Sequence, residues 1–278
     1  MNTHKVTFWG TRGSEPTPEK EKMVFGGETS CVSILTAQNE LIVLDMGTGF
    51  RRLGSKIVNN KDIPNKAHVF LSHYHWDHIQ GILGFLPLYH NGYDFTIYGK
   101  KGDNESINDI FQHIFNYNFW PIVLDEMKAK ISFRDIEVGK YKITDNIQVF
   151  TNLHSHPNGA FSYRVEIGNT AIVYVTDVEY HPGKPAQKVI DLAQNADLLI
   201  HDAHYSIEDL PSHKGWGHSS WKEAVMVAQT ANVKQLVLFH HNPEYNDVKV
   251  AELENEAKSE FSNLLSAKQN LTIEIPAS

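Results

Sequence analysis

Apolar and polar positions fall into strand-length runs in the first half of this chain and into alternating strands and helices in the second. K-V-T-F-W (Lys5 to Trp9) predicts a first strand, followed by a surface loop rich in Gly, Pro and charge. Cys31 to Thr36 and Glu40 to Asp45 read as two strands around the turn A-Q-N. G-T-G-F-R-R-L-G opens a helix ending near Asn59, and Ala67 to Ser72 is a continuous apolar strand. Asp94 to Gly99 is a further strand, and the mixed aromatic and charged stretch 103–130 predicts helix. Strands follow at Ile131 to Phe133, Ile143 to Phe150, Ala160 to Glu166 and Ala171 to Val175, the last two joined by the hairpin signal I-G-N-T. Pro185 to Asn195 and Ser219 to Ala231 read as helices, and Asp197 to His201 and Gln235 to Phe239 as apolar strands. A long amphipathic helix at Val248 to Ala267 and a strand at Leu271 to Ile275 complete the pattern. No repeat, linker or low-complexity segment divides it. The expectation is one α/β domain over residues 1–278, with two sheets in the middle and helices outside.

Composition narrows the function. A formal net charge of -8 argues against a dedicated nucleic-acid binder and favours a small substrate. The single cysteine, Cys31, rules out an intramolecular disulfide and fits a reducing compartment. The N-terminal residues read as a strand rather than a signal peptide, and no stretch approaches the roughly 18 apolar residues of a membrane span. The expected location is the cytoplasm. Sixteen histidines is the one unusual count, and histidine is the commonest metal ligand.

Position gives that count its meaning. L-S-H-Y-H-W-D-H-I-Q-G (71–81) places three histidines and an aspartate within six positions, directly after an apolar strand. His73 and His75, two apart, share a side of an extended segment, while Asp77 and His78 open a helical run. One loop thus presents two ligand pairs in different directions, which suits two adjacent metals.

H-Y-H-W-D-H resembles the H-x-H-x-D-H motif of the metallo-β-lactamase fold, and the resemblance extends over nearly the whole chain. It implies an αβ/βα sandwich of two central mixed sheets flanked by helices, with metals at one edge. L-D-M-G-T-G (44–49) looks like the family's D-x-G strand end, which makes Asp45 a candidate brace for the metal loop. By the spacing of the tRNase Z branch, the ligand lies seven residues before Tyr163, at His156, with His154 as a nearby polar or substrate contact. A-I-V-Y-V-T-D supplies Asp177 as a bridging carboxylate, and V-L-F-H-H-N-P supplies His240, with His241 pointing away to the surface or behind the ligands. The resemblance therefore implies two open sites: His73, His75 and His156 in one, Asp77, His78 and His240 in the other, and Asp177 between them. Two divalent ions are expected, zinc first from the nitrogen-rich ligation and manganese as the alternative.

His218, in G-H-S-S-W-K-E-A, is similar to the histidine that steadies the leaving oxygen in tRNase Z and related phosphodiesterases. Asp77 and His218 are thus the candidate catalytic residues, with His201, Asp202 and His204 as candidates to orient His218. The long tRNA-gripping arm of that branch would fall between His156 and Asp177, where this chain has room for a hairpin and little else. These features imply a dinuclear phosphodiesterase that acts on a small, cyclic or linear nucleotide through a metal-bridging hydroxide. The alternatives are a tRNase Z-like endoribonuclease, a lactonase or β-lactamase-type hydrolase, and a non-catalytic metal-binding module. Arg12 is a candidate phosphate contact or a solvated arginine, and Trp76, Trp216 and Trp221 could stack a base, with core packing as the other reading for Trp221. No membrane and no stable nucleic-acid partner are expected; relatives in the tRNase Z branch are often homodimers.

Overall fold

A computed structural model of the chain describes residues 2–102, 105–181 and 184–277. The first half builds β1 (Thr3–Gly10), β2 (Cys31–Leu35), β3 (Leu41–Leu44), β4 (Lys66–Phe70), β5 (Asp94–Lys100) and β6 (Lys130–Ile136). The last strand, β14 (Thr272–Pro276), returns to pair with β1 and completes a seven-stranded sheet. The second half builds β7 (Gly139–Lys142), β8 (Ile147–His154), β9 (Ala160–Ile167), β10 (Thr170–Val175), β11 (Leu198–Asp202), β12 (Leu236–Phe239) and β13 (Leu264–Ser266), ordered β13-β12-β11-β10-β9-β8-β7. Each sheet starts as an antiparallel meander, β1 to β3 and β7 to β10, and continues in parallel, β3 to β6 and β10 to β13.

The sheets share an inner core in which Val6, Phe8, Ile34 and Phe70 of one meet Val149, Tyr163, Tyr174 and Phe239 of the other. Each outer face is covered as well. Helices α1 (Gly49–Asn59) and α3 (Ile107–Ile114) cover the first sheet through Phe50, Leu53 and Phe111, with the single turn α2 (Trp76–Ile79) between them in the chain. Helices α4 (Gln187–Ala193), α5 (Trp221–Thr230) and α6 (Asp247–Lys258) cover the second through Val189, Val225 and Leu253. The result is the four-layer αβ/βα sandwich. It explains why β3 reads as the unbroken apolar run L-I-V-L: Ile42 and Leu44 face the inner core, Leu41 and Val43 the helices. Among the described residues, no helix is long and apolar enough to cross a membrane.

Three element expectations change. Between 105 and 130 only α3 and one short 3₁₀ turn (Leu124–Glu126) are helical, and positions 103 and 104 lie outside the described residues. A capping box of Ser106 and Asp109 starts α3, and N-Y-N-F-W-P beyond Phe115 is too rich in Asn, with Pro121, to continue it. The long C-terminal helix stops at Lys258, and Leu264–Ser266 is a strand parallel to β12. A three-residue strand carries no period, so its leucines had extended the helical stripe of Val250, Leu253 and Ala257. The strand expected at 143–150 runs instead from 147 to 154, and G-K-Y-K forms the edge strand β7, whose lysines masked it.

Candidate metal centre

The site lies where the C-terminal ends of the parallel strands of the two sheets meet, the usual place for ligands in open α/β sheets. Asp45 follows β3, the loop 71–78 follows β4, Asp177 follows β10, Asp202 ends β11, and His240 follows β12. Asp45, Asp177 and His240 all adopt the left-handed conformation, with φ of 62°, 54° and 62°. This costs about 1–3 kcal/mol at each non-glycine position and turns each side chain sharply off its strand into the cleft.

Two clusters form. In the first, the rings of His73, His75 and His156 lie 4.4 to 4.9 Å apart, with His156 Nε2 3.1 Å from His75 Nδ1. In the second, His78 Nε2 lies 3.1 Å from both Asp77 Oδ2 and Asp177 Oδ2, and 3.3 Å from His240 Nε2. Asp177 faces both: Oδ2 lies 3.4 Å from His240 Nε2, and Oδ1 lies 3.8 Å from His156 Nε2 and 3.7 Å from His218 Nδ1.

The far nitrogen of several rings is already tied. His78 Nδ1 donates to Asp45 Oδ2 at 2.7 Å, and His156 Nδ1 to the Gly217 carbonyl at 2.9 Å. That leaves each Nε2 lone pair pointing inward, the arrangement that fixes a metal-binding tautomer. Asp45 is itself held by the Ser72 amide and hydroxyl at 2.7 and 2.9 Å and by the Tyr174 hydroxyl at 2.8 Å. Asp77 Oδ2 accepts from the Ser14 amide at 2.8 Å.

A divalent cation in each cluster fits these residues. His73 Nε2 is buried with no hydrogen-bond partner, a loss of about 1–3 kcal/mol that a coordinating cation would reverse. Acceptor nitrogens and carboxylates also crowd inward in both clusters with too few hydrogens to share. Without cations, protons fill in. Burial opposes a charge on His78, but Asp77, Asp177 and Asp45 outweigh it and raise its pKa well above the usual range. Burial likewise opposes ionisation of Asp77 and Asp177, yet the neighbouring histidines hold both well below the usual carboxylate range.

His218 stands at the rim of the second cluster. Its Nδ1 lies 3.1 Å from Asp202 Oδ2, and its ring stacks on His204 at 4.2 Å. Burial alone would lower its pKa, but the Asp202 hydrogen bond and charge raise it to about 9. The Ser219 amide and hydroxyl and the His204 and Asp177 amides fix the Asp202 carboxylate. Of the three candidates to orient His218, Asp202 bonds its ring and His204 stacks on it. His201 does neither: it bonds the Tyr180 hydroxyl at 2.8 Å and the Asp202 carbonyl at 2.7 Å, beneath the strand end.

Several other candidates land differently. Arg12 is neither solvated nor free for phosphate. It is fully buried and donates to the carbonyls of Lys22, Gly26, Asn242 and Tyr245, stitching the first loop to the segment after β12. His241 does turn away from the clusters, but into the interior, donating to the Ala267 carbonyl at 2.9 Å with its ring edge on Phe25. His154 is buried and held neutral, its pKa lowered to about 3 by burial. Trp221 is 4% exposed and packs in the core, whereas Trp76 and Trp216 are 59% and 62% exposed. A cavity of about 710 Å³ opens on His73 and His75, with Lys100 and Lys101 among its lining residues.

The model of the family described as "Beta-lactamase superfamily domain" matches residues 41–241, a span that holds both clusters and His218. The chain belongs to the beta-lactamase superfamily. Ribonuclease Z of Picrophilus torridus is 29% identical over 317 aligned positions, covering 99% of this chain and 96% of that protein. Among solved structures, the metallo-β-lactamase-fold protein YhfI of Bacillus subtilis is 22% identical and superposes with a TM-score of 0.74, covering 99% of this chain and 100% of its own. Unliganded yeast PDE1, 16% identical, superposes with a TM-score of 0.71 over 99% of this chain and 100% of its own. This member of the superfamily is a hydrolase, and its fold implies divalent metal ions.

The supports of the superfamily site were the hardest part to see in the sequence. Ser72, in the loop after β4, and Tyr174, on β10, brace Asp45 from opposite sheets, and only the H-x-H-x-D-H signal beside Ser72 hinted at it. Gly217 also went unnoticed. It has φ +88°, and a Cβ there would lie 2.1 Å from His156 Nδ1, so only glycine lets the carbonyl reach the histidine.

Proposed function

We propose that this hydrolase is a dinuclear phosphodiesterase of small nucleotides, cyclic forms included. His73, His75 and His156 would hold one cation, and Asp77, His78 and His240 the other, with Asp177 shared. Five imidazoles and two carboxylates suit zinc first and manganese second. Cations held there would acidify a water and neutralise charge on the phosphoryl oxygens. The protein supplies the rest. Asp202 holds His218 Nδ1, which leaves Nε2 to carry a proton to a departing alkoxide, and Asp45 keeps His78 turned to the cluster. An alkoxide leaving from phosphorus needs such a donor, worth about 10²–10⁴-fold in rate. This Asp202–His218 pair beside Asp177 is the observation that carries the reading.

The short interval between His156 and Asp177 supports a small substrate. β9 and β10 are joined by Gly168 and Asn169 alone, leaving no projecting arm to grip a folded RNA. The 317 aligned positions with the Picrophilus torridus relative exceed the 278 residues here, so that relative has at least 39 positions with no counterpart in this chain. A ribonuclease Z-type activity on precursor RNA is the second reading, favoured by relatives of that name that match nearly end to end.

Zinc- and manganese-loaded enzyme assayed on cyclic and linear nucleotides, bis(p-nitrophenyl) phosphate, precursor tRNA and lactones separates the readings. The expected result is hydrolysis of the small diesters over tRNA, with His218→Ala retaining its metals and losing about 10²–10⁴-fold in turnover. Efficient tRNA cleavage, or lactone hydrolysis indifferent to His218, would displace the proposal.

A further inference from the structure

A second cavity lies beside the first histidine cluster, and neither the hydrolase fold nor the metal-binding residues assign it a role. It measures about 450 Å³ and is lined by His154 and His156 on one side and by Tyr180, Lys184, Lys188 and Lys214 on the others. Its one carboxylate, Glu179, is occupied: the Gly215 and Gly217 amides donate to its two oxygens at 2.7 and 2.8 Å. Among the described residues, no carboxylate pairs with Lys184, Lys188 or Lys214, although the chain carries a net charge of -8. Lys188 Nζ touches only the Leu153 carbonyl as a protein acceptor among the described residues. His154 is the second, independent sign of a ligand. It is 3% exposed, and both ring nitrogens lack a hydrogen-bond partner of good geometry. A neutral imidazole always carries one N–H, and here its neighbour is the Ser155 backbone outside good hydrogen-bond geometry, so part of the about 1–3 kcal/mol that a buried donor needs is unmet.

We propose that this cavity is an anion subsite that takes a phosphate group, with Lys188 and Lys214 supplying charge and His154 an N–H donor. The phosphate is either the terminal phosphate of a substrate whose diester lies at the two clusters, or a free phosphate acting next to His156. Only the first source rests on the phosphodiesterase reading.

Two measurements test the subsite in the metal-loaded protein. Inorganic phosphate should shift the ring ¹⁵N signals of His154 in the wild type and leave them unmoved in K188Q/K214Q. Equal shifts in both proteins, or none in the wild type, would overturn the proposal. Turnover then assigns the source. If the phosphate belongs to the substrate, the wild type should prefer a 5′-phosphorylated dinucleotide over the unphosphorylated one by about tenfold, and K188Q/K214Q should lose that preference while cleaving the unphosphorylated diester normally. If it is free, phosphate should alter bis(p-nitrophenyl) phosphate turnover in the wild type and not in the variant. Diester turnover identical in both proteins under all these conditions counts against the subsite. Absence of diester turnover altogether would sink the phosphodiesterase reading instead and leave the His154 signals to decide.

Discussion

The two sheets share one plan and deliver their site residues in opposite ways. The first half places four in a single loop, His73 to His78, directly after β4. The second half delivers His156, Asp177, Asp202 and His240 one at a time, from four separate strand ends. A contiguous loop needs one local conformation to be right. A dispersed set needs the register of β8 to β12 to be right, and it is held by links between segments, such as Glu179 to Gly215 and Gly217, and Gly217 to His156. Damage should therefore spread differently in the two halves.

Asp177→Ala should have the largest effect, because that carboxylate turns one oxygen to each cluster. Elemental analysis of the purified variant should fall from about two metals per chain to below one, with turnover lost. Retention of both metals would show that the clusters are independent. Gly217→Ala comes next. The added Cβ has nowhere to go beside His156 Nδ1, so that cluster alone should weaken, by about 10–100-fold in metal affinity. Titration with a metal-competing chelator should then resolve one weak and one unchanged site; two weakened sites would mean the loop acts on both. Asp45→Asn tests the contiguous half and should be milder. It keeps the volume but loses the charge that orients His78 and accepts from Ser72 and Tyr174, for a loss of about 1–3 kcal/mol in unfolding free energy by denaturant titration. An unchanged midpoint would reduce Asp45 to a bystander.

The same contrast explains what could be read in advance. The H-Y-H-W-D-H loop was legible because local geometry alone gives His73 and His75 one direction and Asp77 and His78 another. His156 rather than His154, and His240 rather than His241, could be chosen only by resemblance, since a shift of one or two residues reverses or displaces a side chain. The structure brings His156 and His240 into the clusters and buries His154 and His241 elsewhere. Arg12 was beyond reach: an arginine in a Gly- and Pro-rich loop reads as solvated until two carbonyls of its own loop and two from the distant segment after β12 close around it.

By itself, then, the sequence determined the layered class, through apolar runs that only two-sided burial allows, and it announced a metal-binding loop through residue spacing. Whether the scattered histidines and aspartates meet was decided by tertiary structure alone. Strand register, left-handed turns at Asp45, Asp177 and His240, and the close approach at Gly217 are interactions between segments, and no local pattern encodes them.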